Sequence, residues 1–300
     1  MLQPGTLWTR TIRQTRHALH CGALQSQPTK SEFVEQDGIR FLVRTLSNLD
    51  IKQQAREKQD AEKATTGKEP NPFLPYEQNL FVAAVSTTHL CLLNKFNIVD
   101  HHLLIVTRAY EDQESALTLQ DFEAMWACLF EFEALAFYNS GRTAGASQGH
   151  KHLQLVPLPF APTGPLVPIE PALDTAHFPG PIGTVPILPF KHALIRLDPY
   201  WPRSPLEAAR ATFECYDLML EAMDLHSGIK GDPPGPYNLL VTREWMLLVP
   251  RSREVFASIY VNALGFAGAF LLRTPQQMQT LKDHGPLNLL KEIAVPTDRD

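Results

Sequence analysis

Three hundred residues, 44% apolar and 20% charged, are enough to bury one large core or two modest ones. A formal net charge of −5 supplies no basic field, and no apolar run reaches the length of a bilayer span, so neither nucleic acid nor membrane is an expected partner. The four cysteines, Cys21, Cys91, Cys128 and Cys215, are widely spaced and read as reduced, mostly buried thiols of a cytoplasmic protein.

The chain opens with a helical stripe, Leu7, Trp8, Ile12 and Leu19, predicted to face the core. Arg10, Arg13 and Arg16 lie among them, a composition that can also mimic an organelle transit peptide; the core-facing helix is the preferred reading. Residues 39–44 alternate as a strand. Residues 50–70 are a charged, solvated stretch. Of its lysines, Lys52 lies nearest the strand and is the choice for a cationic lid over phosphates. Strands are predicted at 80–85, 89–94 and 102–107. Thr118, with Asp121 three residues on, marks a capped helix start. Phe122, Met125, Leu129, Phe132 and Phe137 follow at roughly helical spacing, so this helix is expected to run to about Tyr138–Gly141. A Pro-rich connector (161–189) then separates an N-terminal half (1–160) from a C-terminal half (190–300). The latter carries a strand at 193–197, a helix from Pro205 to about His226, and a hairpin of 237–242 with 245–250.

The chemistry concentrates in Gly145-Ala146-Ser147-Gln148-Gly149-His150-Lys151-His152-Leu153-Gln154. On a strand, residues two apart share a face, so His150, His152 and Gln154 form one polar strip while Lys151, Leu153 and Leu155 take the other side. The preceding small-residue turn lets backbone N–H groups approach an anion. Imidazoles beside such a turn suit phosphoryl transfer, with histidine as a covalent nucleophile. Two histidines so spaced can also chelate zinc, but no further ligands accompany them, and no metal site is assigned. His101 and His102 are expected to be structural or solvent-exposed.

Together, Asn94-Lys95-Phe96, His102-Leu103-Leu104-Ile105-Val106-Thr107, Gly145-Ala146-Ser147-Gln148, His150-Lys151-His152-Leu153-Gln154 and Asn262-Ala263-Leu264-Gly265-Phe266-Ala267-Gly268 carry a resemblance. They resemble the histidine-triad superfamily, in its transferase branch where glutamine replaces the third histidine. The nearer likeness is to the ATP adenylyltransferases, or diadenosine tetraphosphate phosphorylases. The resemblance spans roughly residues 7–272.

It implies an α+β fold, a histidine-triad-like antiparallel sheet with flanking helices, whose second half is a degenerate structural counterpart of the first. It implies cleavage of a dinucleoside polyphosphate by phosphate to ATP and ADP, through an adenylyl group on His152, with His150 orienting its neighbours. Gln154 orients a phosphoryl oxygen without titrating, which favours transfer over hydrolysis. Asn139 and the turn Gly145, Ala146, Ser147 and Gln148 are implied phosphate and ribose contacts. Asn94 and Lys95 are placed near the nucleotide, Asn262 and Leu264 in a nucleoside pocket, and Arg273 near a distal phosphate. A divalent cation, magnesium, is expected to travel with the polyphosphate. The chain is expected to act as a monomer or homodimer. A hexose-1-phosphate nucleotidyltransferase and a noncatalytic nucleotide sensor remain as alternatives.

Overall fold

The computed structural model describes residues 1–47, 71–198, 204–225 and 233–297. A first helix, Leu7–His20, leads into the hairpin β1 (Thr29–Gln36) and β2 (Ile39–Leu46). Strands β3 (Phe81–Ala84), β4 (His89–Leu93) and β5 (Leu103–Thr107), a helix over Leu119–Leu129, then β6 (Ala134–Asn139) and β7 (His152–Pro157) complete the N-terminal half. Beyond the Pro-rich stretch come β8 (Ala193–Arg196), the helix Pro205–Ala222, β9 (Tyr237–Val241) and β10 (Trp245–Pro250). A small ribbon, β11 (Val255–Phe256) with β12 (Ile259–Tyr260), a short helix Ala263–Phe266, β13 (Ala269–Leu272) and the helices Pro275–His284 and Pro286–Ile293 close the described chain.

Eight strands form one antiparallel sheet in the order β3-β4-β5-β7-β6-β9-β10-β8. The seam between the halves is β6 on β9, where Asn139 faces Asn238. A second sheet interlocks the ends of the chain, because β13 lies parallel to β2. The expected α+β architecture is therefore present.

The two sheet faces are covered differently. One face, with Leu153, Leu155, Cys91 and Ile105, is buried with residues of the three longest helices, among them Phe122, Trp126 and Tyr216. The other is packed from β7 across to β8, where Phe137, Val156, Leu240 and Val249 meet Phe41, Phe270 and Leu290. Over β4 and β5 that same face carries a satellite cluster of Leu90, Leu92, Leu104 and Val106 under Phe73. The histidine strand, β7, runs along the boundary between these two coverings.

Two expectations need correction. The second helix ends at Leu129, and Phe137 lies instead in β6, whose six residues are all buried. A strand buried on both faces shows no alternation, so an apolar run of this kind cannot be told from a helix by spacing. Just past the helix end, the Glu131 carboxylate accepts from the N–H groups of Gly5 and Leu7, both at 2.8 Å, at the start of the first helix. That first helix buries Leu7, Thr11, Thr15 and Ala18, whereas Leu19 is exposed. The capping box of Thr118 with Asp121 is formed as expected. Asp121 also meets His89 and Lys151 in the core. Burial works to raise its pKa, but the His89 hydrogen bond, the Lys151 charge and the Thr118 N–H together hold it below the ordinary value. Cys91 and Cys128 are free and buried, Cys215 is intermediate and Cys21 is exposed. No described helix is long and apolar enough to cross a membrane.

Candidate active site

The site forms where β6 and β7 part. Their ladder runs from Ala134 opposite Pro157 to Phe137 opposite Gln154 and stops two pairs short of Asn139 and His152. The gap is bridged by the buried Gln113 amide. Its Oε1 accepts from the His152 N–H at 2.8 Å, while its Nε2 donates to the carbonyls of His152 (3.2 Å) and Asn139 (2.9 Å). Nothing in the sequence around Gln113 announces this role.

His152 is 4% exposed and held by its own strand. Its Nδ1 donates to the His150 carbonyl at 2.8 Å, which fixes the proton on Nδ1 and leaves Nε2 as a lone pair. Burial, opposed by that carbonyl and reinforced by His150, pushes its pKa down to about 4. The ring is therefore neutral and nucleophilic at pH 7. His150 is also buried. Its Nε2 donates to the Thr107 carbonyl at 2.9 Å, and its Nδ1 accepts from Asn71 Nδ2 at 3.0 Å. Asn71 is oriented because its Oδ1 accepts from the Phe73 N–H. Burial lowers the His150 pKa too, against the Thr107 carbonyl. Phe73 lies against both rings, at 5.6 and 5.3 Å between centroids.

Gln154 is oriented by a directional relay. Asn94 Oδ1 accepts from the Phe96 N–H, so Asn94 Nδ2 donates to His102 Nδ1 at 3.2 Å. The His102 proton then sits on Nε2 and is donated to Gln154 Oε1 at 3.0 Å, which turns the Gln154 NH₂ away as a donor. Of the two histidines expected to be structural or solvent-exposed, His102 is buried and holds Gln154 through that bond, whereas His101 meets Thr15 and Trp8. Among the described residues, Asn94 is linked to the strip through His102.

Asn139 is the other donor. Its Oδ1 accepts from Asn238 Nδ2 (2.8 Å) and from the Ala263 N–H (2.9 Å), while its Nδ2 is buried without a partner. A buried unpaired amide costs about 1–3 kcal/mol, a cost that a phosphate or ribose oxygen would remove. The second half thus enters through Asn238 and the 261–264 segment. Asn262 caps the short helix through a 3.0 Å bond from the Leu264 N–H. Gly145, at φ +92°, has a reason beyond an anion: a Cβ there would sit 2.8 Å from the Val261 oxygen and 2.9 Å from Asn262 Cα. Ala146 is buried beside it, while Ser147 is exposed and Gln148 partly so.

The remaining expected contacts have the following partners. Lys95 pairs with Glu77 at 2.8 Å on the surface. Arg273 lies over the Tyr260 ring, and its N–H donates to Gln277. Lys52 lies outside the described residues. Among the described residues, no cluster of three or more His, Cys, Asp or Glu side chains is arranged to hold a metal.

Residues 1–175 match the family model described as Ap4A phosphorylase N-terminal domain, and residues 186–296 match that of the ATP adenylyltransferase C-terminal domain. The chain belongs to the Ap4A phosphorylase family. Its members are nucleotidyltransferases, and two yeast relatives show how far the likeness extends. Diadenosine 5',5'''-P1,P4-tetraphosphate phosphorylase 2 of Saccharomyces cerevisiae is 28% identical over 254 residues, 75% of this chain and 76% of that protein. Protein APA1 of the same yeast is 27% identical over 248 residues, 72% of each. The crystal structure of yeast Ap4A phosphorylase Apa2 superposes with a TM-score of 0.79 at 21% identity, covering 100% of this chain and 98% of that one. Its complex with Ap4A gives 0.78 at 22% identity, covering 99% of each chain. These superpositions establish the family's fold over the whole chain.

Proposed function

We propose that this protein cleaves diadenosine tetraphosphate by phosphorolysis to ATP and ADP, through a covalent adenylyl group on His152. The observation that carries the reading is a neutral, buried His152 with its Nδ1 proton locked and Nε2 open, beside two oriented amide donors.

In the first step the Nε2 lone pair attacks the α-phosphorus. A P–N bond forms, the bond to the bridging oxygen breaks, and ATP leaves. In the second, an orthophosphate oxygen attacks the same phosphorus, the P–N bond breaks, and ADP forms. Throughout, the Nδ1–H bond to the His150 carbonyl stabilises the positive charge that develops on the imidazole. Gln154 and Asn139 donate to the non-bridging oxygens as charge builds on them. Because Gln154 carries no titratable proton, it gives water no general base. A divalent cation, magnesium, would neutralise polyphosphate charge. The amides and neutral imidazoles around His152 suit phosphate oxygens rather than a hard cation, so the substrate's own oxygens would hold the ion.

The test uses wild type and His152→Ala with diadenosine tetraphosphate and magnesium, with and without phosphate, the products being resolved by chromatography. Phosphate-dependent ATP plus ADP, lost in the variant, is the expected result. AMP plus ATP without phosphate would mean hydrolysis, and no turnover by wild type would remove the reading.

A further inference from the structure

Arg251 follows the last residue of β10, is 2% exposed, and has no carboxylate ion-pair partner among the described residues. All five of its N–H groups are used, each on a neutral acceptor. Nε donates to the Ile293 carbonyl (3.2 Å), Nη1 to the Ala144 carbonyl (3.1 Å) and Asn238 Oδ1 (2.6 Å), and Nη2 to the carbonyls of Arg253 (2.7 Å) and Val261 (3.0 Å). Ile293 ends a helix, so its carbonyl lies at the negative end of that dipole. Burial lowers the Arg251 pKa to about 9 against the influence of Glu254, which leaves the group charged at neutral pH.

A buried charge of this kind is costly, and apolar side chains of similar volume often serve stability as well. Three of its acceptors belong to segments that build the site. The Ala144 carbonyl precedes Gly145 in the turn, the Val261 carbonyl precedes Asn262, and Asn238 holds the Oδ1 of Asn139. Ala144 accepts from Asn238 Nδ2 as well, at 2.8 Å. The fork therefore joins the turn of the N-terminal half to the 261–264 segment of the C-terminal half, and a cation with no ion-pair partner among the described residues sits at that joint.

We propose that Arg251 is a positioning residue for polyphosphate binding: its fork fixes the 141–146 turn against residues 261–263, and its buried charge, held by neutral acceptors, favours an anionic ligand there. The inference rests on the phosphoryl-transfer reading above. A residue needed only for stability would leave the affinity of the folded protein unchanged when its charge is neutralised.

Three variants of the full chain test it. Arg251→Lys keeps the charge and loses the fork. Asn238→Asp and Asn238→Leu both remove the Nδ2 donor to Asn139 and Ala144; the aspartate places a carboxylate on the cation, while the leucine takes away one neutral acceptor and adds no charge. Each is titrated with inorganic tripolyphosphate by calorimetry, and kcat and KM are measured with diadenosine tetraphosphate. Arg251→Lys is expected to lose roughly ten- to a hundredfold in kcat/KM, mostly through KM. Asn238→Asp is expected to bind tripolyphosphate at least about tenfold more weakly than Asn238→Leu, since both lose the Nδ2 donor and only the aspartate neutralises the guanidinium. If Arg251→Lys does not fold, the two Asn238 variants still decide. Wild-type affinity and KM in Arg251→Lys, or equal binding by the two Asn238 variants, would overturn the proposal. A wild type that neither binds tripolyphosphate nor cleaves the dinucleotide would instead remove the functional reading beneath it.

Discussion

The Nδ1 nitrogen of His152 lies 2.8 Å from the backbone oxygen of His150, two residues earlier on the same strand. The contact turns the strand's own geometry into a tautomer switch locked in one position. One nitrogen is committed to the backbone, and the other keeps its lone pair.

The first prediction concerns pH. Since burial pushes His152 down to about 4, protonation should not remove the nucleophile until well below the pH at which an ordinary histidine titrates. The acid limb of kcat/KM is expected near 4 to 5 rather than near 6.5, measured over the range in which circular dichroism shows the protein folded. A limb at 6.5 would show that the proton competes at an ordinary imidazole.

The same shift bears on stability. In the unfolded chain His152 titrates near its ordinary value, so the unfolded state binds more protons at mildly acid pH. The neutral buried ring favours folding fully above pH 6.5 and loses that contribution as pH falls towards 4, a total of about 3 kcal/mol for this group. Denaturant midpoints of wild type and His152→Phe, followed from pH 7 to pH 4.5, should converge or cross as the pH drops. Parallel curves would exclude the linkage.

Residues whose chemistry is local can be read from the chain itself: the His-x-His-x-Gln alternation, the Thr118 cap and the small-residue turn. The contacts of Gln113, His102, Asn238 and Arg251 cannot, because each works across a long separation in sequence. Gln113 fills a gap that exists only because β6 and β7 diverge, and Arg251 serves a joint between the two halves. Phe137 escapes a sequence reading for a related reason. At the middle of an eight-stranded sheet a strand is covered on both faces, and the alternation that identifies strands disappears. Lys95 shows another limit: its pairing with Glu77, eighteen residues earlier, is not written in the strand-end pattern that suggests a nucleotide contact.

Gln154→His should change the fate of the adenylyl group. The His102 proton donated to Gln154 Oε1 would then meet an imidazole nitrogen, leaving the other nitrogen protonated towards the leaving group and able to titrate. AMP should rise from a minor to a major product at limiting phosphate, with some loss of overall rate. Product ratios measured against phosphate concentration give the partition directly. An unchanged ratio would show that the glutamine does not govern water use.

Gly145→Ala tests whether the turn is held by the crossing segment. At φ +92° any side chain is strained, and the new methyl would lie 2.8 Å from the backbone oxygen of Val261. The variant should lose about 2–4 kcal/mol of stability, the sum of backbone strain and the displaced contact. Chemical denaturation gives the loss. A cost below about 1 kcal/mol would mean that residues 261–262 shift freely.

Gln113→Met should separate positioning from chemistry. The change keeps the volume of the buried side chain but leaves the His152 N–H and the carbonyls of His152 and Asn139 without this amide. Unsatisfied backbone groups of this kind cost about 1–3 kcal/mol each, reduced where water enters the gap. Because Gln113 sets where the His152 backbone sits, the in-line approach of Nε2 should suffer more than substrate affinity does. The expected result is a kcat lowered roughly ten- to a hundredfold with KM within about threefold of wild type. Rapid-quench measurement of adenylyl-enzyme formation would locate the loss in the first step. A variant with wild-type kcat and only a lowered Tm would assign Gln113 to stability alone.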